Sequence, residues 1–117
     1  MNSNPLRDKS KEFALRCISL CNGLAQQRRE YVISNQLFKS GTSIGANIRE
    51  GIYAQSKADF ISKLNISLKE AAESQYWLEL LHESGYIDTE CFTSHNRDCE
   101  ELIKLLTSII KSAKQNS

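Results

Sequence analysis

Glu79-Leu80-Leu81-His82 sets a carboxylate and an imidazole three residues apart, the spacing with which helical bundles ligate di-iron centres. Such a centre needs the motif twice, and the other histidine, His95, has Phe92 where the second glutamate belongs. Cys91, His95 and Cys99 recur at i, i+4 and i+8, close to one face of a helix, and thiolate and imidazole are zinc ligands. The same spacing puts His95 and Cys99 on an apolar seam, and no Cys-x-x-Cys turn supplies ligands from a second element. Nucleophilic catalysis would need a Cys or Ser beside a histidine base and an orienting acid. Both histidines fall within helical patterns, and no Gly-flanked turn surrounds a candidate nucleophile. No Gly-x-x-x-x-Gly-Lys phosphate loop occurs. The chain is read as non-enzymatic, without metal or other cofactor.

A different constellation is polar. Ser43, Asn47 and Glu50 are spaced i, i+4, i+7 beside an isoleucine seam, and Glu70 and Glu73 lie on the next segment, where they could face them. Two readings stand: a hydrogen-bond network that fixes helix register, because buried amides and acids must find partners, or a pocket for a ligand or partner.

Four segments of helical period must position these residues. The first starts at Pro5 with Asn4 as cap, and its seam is Leu6, Ser10, Phe13, Cys17, Leu20 and Leu24. The second runs from about Tyr31 to Gln55 on Ile33, Leu37, Ile44, Ile48 and Ile52. Its stretch Lys39–Ala46 is poor in helix formers and depends on tertiary contacts, with Gly41 and Gly45 permitting close approach of a neighbour. The third opens on a capping box, Ser56-Lys57-Ala58-Asp59, follows Phe60, Leu64, Leu68, Ala71, Gln75 and Leu78, and stops at Gly85. The fourth begins near Asp88 or Thr89 and steps through Phe92, His95, Cys99, Leu102, Leu106, Ile109 and Ala113. Ile103 and Ile110 add a second stripe, which predicts burial against another subunit. No strand alternation or internal repeat interrupts this pattern. The fold class is all-α, an antiparallel up-down four-helix bundle in one domain over 1–117.

Length and charge agree with that reading and narrow the partners. The chain has 117 residues, 40% hydrophobic and 25% charged, with a formal net charge of +1; disorder requires lower hydrophobicity and larger net charge. No stretch reaches the ~18 apolar residues of a membrane span, and no secretory signal opens the chain, so a cytoplasmic location is expected. The four cysteines then read as buried or half-buried thiols rather than disulfides. Charge is uneven: residues 1–55 hold eight Lys/Arg against four Asp/Glu, a net of +4, and residues 56–117 hold seven against ten, a net of −3. The halves could neutralise each other within the bundle or pair between subunits. Alternatively, Arg7, Lys9, Lys11, Arg16, Arg28, Arg29, Lys39 and Arg49 leave a basic patch for RNA or DNA phosphates. Arg28, Arg29, Lys39 and Arg49 are the candidate nucleic-acid contacts, although no aromatic residues interleave with them for base stacking.

The block Ser40-Gly41-Thr42-Ser43-Ile44-Gly45-Ala46-Asn47-Ile48-Arg49-Glu50-Gly51 resembles a family signature, as do the segments after it. These are Ser56–Phe60, Leu68-Lys69-Glu70-Ala71 through Glu73, Tyr76-Trp77-Leu78 and Gly85-Tyr86-Ile87. Together they are similar to the four-helix-bundle proteins encoded in intervening sequences of 23S rRNA genes, also labelled S23 ribosomal proteins. The resemblance spans nearly the whole chain. It implies a bundle assembled as a homopentameric ring, of unsettled biochemical activity, with Ser43, Asn47, Glu50, Glu70 and Glu73 as characteristic polar residues. A related protein, the accessory variability protein of diversity-generating retroelements, is a strongly basic pentamer that binds nucleic acid; this chain departs from it in its near-neutral charge. The leading expectation is therefore an oligomeric interaction or scaffold module with a protein partner, and the alternative is RNA or DNA binding through the basic first half.

Overall fold

A computed structural model describes residues 4–116 as four helices: α1 (Pro5–Arg28), α2 (Val32–Ile52), α3 (Lys57–Glu83) and α4 (Thr89–Gln115). Three of the four starts are set by the side chain of the residue immediately before the helix. Asn4 Oδ1 accepts the Arg7 N–H at 3.1 Å, Ser56 Oγ accepts the Asp59 N–H at 3.1 Å, and Asp88 Oδ1 accepts the Cys91 N–H at 2.8 Å. Each satisfies an orphan donor of the first turn. Asp59 completes its capping box one residue early, accepting the Gln55 N–H at 3.4 Å rather than that of Ser56.

α2 starts by a device absent from the sequence reading. Arg29 ends α1 in the left-handed region (φ 53°), and the chain reverses within three residues. Glu30, buried to 8% exposure, then turns its carboxylate onto the new helix. Its Oε1 and Oε2 accept the N–H groups of Ser34 (2.7 Å) and Ile33 (3.0 Å), while Ser34 Oγ donates back to the Glu30 carbonyl at 2.7 Å. An anion at this end also complements the helix dipole. At the far end of the next hairpin Gly85, at φ 85°, stops α3 as the sequence predicts.

Each helix packs on its two neighbours, α1 on α2 and α4, α3 on α2 and α4, with no diagonal backbone contact. That cycle is the up-down-up-down bundle. The predicted seams form its core: Phe13, Cys17, Leu37, Ile44, Ile48, Leu64, Leu78, Leu102 and Leu106 are essentially fully buried. The glycine-containing stretch is helical, and Gly41 shows why it can be. A Cβ there would lie 2.7 Å from Cys17 Sγ, so the missing side chain lets α1 and α2 close.

Several positions differ from the sequence expectation. Cys21, rather than Leu20, is buried on α1, its thiol donating to the Ser34 carbonyl at 3.1 Å. On α2 Ile52 is 42% exposed, and the helix ends there rather than at Gln55. On α3 the buried positions include Ser67 and Ser74, while Gln75 is only half-buried and donates to Asn96 Oδ1 at 3.0 Å. On α4 the second stripe is not surplus: Ile110 belongs to the core, and Ile103, Leu105 and Ile109 pack against it. That stripe is used inside the bundle.

Candidate functional site

The register of α2 against α3 is fixed by buried hydroxyls. Ser40 Oγ and Ser74 Oγ are 2.8 Å apart, and Ser67 Oγ donates to the Ile44 carbonyl at 2.8 Å. Ser43 and Glu70 fall in the stretches between these two bridges, but among the described residues no hydrogen bond or ion pair joins Ser43, Asn47 or Glu50 of the polar motif to Glu70 or Glu73. The motif residues are tied locally. Asn47 Nδ2 donates to the Ser43 carbonyl at 2.9 Å, Glu50 pairs with Lys63 at 3.2 Å, and Glu73 accepts the Trp77 indole N–H at 3.1 Å. Glu70 makes no ion pair among the described residues. Burial, and secondarily the Glu73 carboxylate, push its pKa up from the ordinary value. The seam serines that order this arrangement were missed in sequence because serine carries no apolar signal; their helical spacing with Ala71 was the available cue.

The histidines and cysteines elsewhere are engaged within the bundle. The His82 ring stacks on Phe92 (centroids 4.6 Å apart, planes at 11°), and its Nε2 meets Thr89 Oγ1 at 3.1 Å. His95 Nδ1 lies 2.8 Å from the Cys91 carbonyl, an acceptor only, so this nitrogen carries the proton. Burial lowers the His95 pKa. Cys99 turns away from Cys91 and His95, its thiol donating to the Ala71 carbonyl at 3.1 Å. Burial pushes the Cys21 and Cys99 thiols up to about 12, and the Cys17 and Cys91 thiols up as well. Protonated thiols are poor nucleophiles and poor metal ligands. Among the described residues, no group of three or more His, Cys, Asp or Glu side chains is placed to hold a metal ion.

The four candidate nucleic-acid contacts do not converge. Arg28 folds over Tyr86, 5.0 Å from the ring centroid, and donates to the Gly85 and Tyr86 carbonyls at 3.4 and 3.3 Å. Arg29 stands beside it at the turn, exposed Lys39 lies midway along α2, and Arg49 lies towards the other end of a molecule 48 Å long. Two further cations of the first half are neutralised by acids of the second: Lys9 pairs with Glu101 at 2.7 Å, and Arg16 with Asp98, next to Ser94 Oγ at 2.7 Å. Part of the charge split is therefore internal to the bundle, across α1 and α4.

The model of the 23S rRNA-intervening sequence proteins matches residues 3–108. The chain belongs to that family. Among solved structures it is similar to a protein of unknown function from the S23 ribosomal protein family of Bacteroides thetaiotaomicron VPI-5482. The identity is 57% and the TM-score 0.90, over 91% of this chain and 98% of that one. No curated protein matches. The resemblance carried by Ser40–Gly51 and the downstream motifs is thus confirmed, and with it the four-helix fold.

In this member of the 23S rRNA-intervening sequence family the conspicuous surface feature is apolar. Of the eight large hydrophobic side chains exposed among the described residues, α2 and its flanks carry five: Tyr31, Val32, Phe38, Ile52 and Tyr53. Val32 is 75% exposed and Tyr53 84%. α4 carries none of them. No helix is long and apolar enough to cross a membrane among the described residues.

Proposed function

We propose that this protein is a non-enzymatic, self-associating module of the cytoplasm, a homopentamer whose assembled surface acts as a scaffold for a protein partner. The observation that carries this reading is the apolar exposure along α2 and its flanks. Isolated surface hydrophobes are ordinary, and the support lies in five of the eight falling on one helix and the turns at its two ends, where another chain laid along α2 would cover them. The stoichiometry comes from the family resemblance. The non-enzymatic reading is supported by the state of the reactive groups: the thiols are held protonated, and His95 is engaged with the Cys91 carbonyl.

The test is substitution on that surface. Val32→Lys and Tyr53→Lys each place a charge where the proposal needs a dry contact, at exposed positions outside the core, and circular dichroism on each checks that the helices persist. Light scattering is expected to show a shift from assembly to the 13.3 kDa chain in at least the double variant. An unchanged mass in the double variant overturns α2 as the contact surface.

A further inference from the structure

We infer that the groove between α1 and α2 is a binding site for phosphate groups, of the kind presented in series by a nucleic-acid backbone. The groove encloses about 200 Å³ and has Arg7 and Lys11 along one wall and Arg49 on the other. Its floor is made of small residues, among them Ser10, Gly45 and Ala46, and no carboxylate lines it. Gly45 sets the depth: a Cβ there would lie 3.4 Å from Ser10 Oγ, so α1 seats closely on α2 beneath the cations.

The contrast with the other cations of the chain is informative. Lys9, Arg16 and Lys63 are each paired with an acid, and Arg28 is engaged with Tyr86 and two carbonyls. Lys11 and Arg49 have no ion pair among the described residues, and the single partner of Arg7 is its neighbour Asp8, an exposed contact at 3.5 Å. Three positive groups thus surround a concavity in a chain of net charge +1. Arg7 and Lys11 stand one helical turn apart, about 6 Å along the axis, so the wall addresses two neighbouring anions rather than one. Guanidinium forks suit phosphate oxygens, whose contacts carry no base information. Ser10 Oγ already donates to the Arg7 carbonyl at 2.9 Å, which leaves recognition to the cations. The expected ligand is therefore bound without sequence preference and with strong salt dependence.

The experiment titrates the full chain into labelled single-stranded RNA and DNA oligonucleotides of several lengths across a salt series, with inorganic phosphate and pyrophosphate as competitors. Binding is expected, and Arg49→Gln and Lys11→Gln should each weaken it several-fold and make the slope of log K against log salt shallower by about 1. Exposed Lys69 on α3 and Lys111 on α4 supply controls, and Lys69→Gln and Lys111→Gln should leave both quantities unchanged. Affinity that rises with oligonucleotide length assigns the site to the backbone of a chain. Affinity independent of length, with displacement by phosphate or pyrophosphate at comparable concentration, assigns it to a small phosphate. Two results overturn the site: no binding of any of these anions, or losses in the Lys69 and Lys111 variants equal to those at Arg49. Circular dichroism and light scattering on each variant separate these outcomes from a change in fold or assembly.

Discussion

At the scale of single residues, the tightest local constraint is the turn from α1 into α2. Arg29 occupies a left-handed conformation that costs an L-residue with a side chain roughly 1–2 kcal/mol. Arg29→Gly should therefore stabilise the fold by about 1 kcal/mol in urea unfolding, whereas Glu30→Ala should destabilise it by about 1–2 kcal/mol through loss of the cap. The polar run Gln26–Arg29 advertises a turn, but a buried glutamate as cap lies outside the usual Ser, Thr, Asp and Asn pattern and was not legible. His95 makes a pH prediction. Burial disfavours its imidazolium in the fold, so the unfolded chain binds that proton more readily. Its stability contribution is full above the ordinary value of 6.5 and is lost as pH falls from there towards the depressed folded value; His95→Gln should flatten this part of a melting-temperature profile. Glu70 has the opposite sign. Its raised folded value means that stability declines as pH rises through and above 4.5, and Glu70→Gln should add about 0.2–0.5 kcal/mol at neutral pH by removing a charge that burial disfavours and, secondarily, its repulsion with Glu73.

At the scale of elements, the glycines separate packing from propensity. Gly41→Ala would force a Cβ to 2.7 Å from Cys17 Sγ in the core and should cost about 1–3 kcal/mol, partly restored by Cys17→Ala. Gly23→Ala meets nothing within 4 Å and should stabilise α1 by about 0.5–1 kcal/mol. Chemical denaturation of the two variants checks both signs. Helix number, order and most of the seam were legible because Phe13, Leu37, Ile44, Leu64, Leu78 and Leu102 repeat at the helical period and are all buried. The α2–α3 interface was not, since its register rests on Ser40, Ser67 and Ser74, whose burial follows from partners on the opposite helix rather than from hydrophobicity. Ile110 and half-buried Ile103 of α4 pack within the bundle, so their stripe does not by itself require a second subunit. A bundle helix between two neighbours needs a wider apolar surface than a single seam.

At the scale of the whole molecule, two surfaces divide the work proposed for it. In that proposal the apolar residues of α2 and its flanks form the contact between copies, and the cationic groove of α1 and α2 receives phosphates. The sequence indicated a basic half, but helix geometry redistributed it: Lys9 and Arg16 are spent on α4, Arg28 on the α3–α4 turn, and Arg49 joins Arg7 and Lys11 instead. Near-neutral net charge thus conceals a local concentration that only the packing of two helices creates. The claim on which the functional reading rests is self-association. Native mass spectrometry of the purified full chain at micromolar concentration tests it most directly. A dominant species of five 13.3 kDa chains is the predicted result, and a spectrum containing only the 13.3 kDa monomer would contradict it.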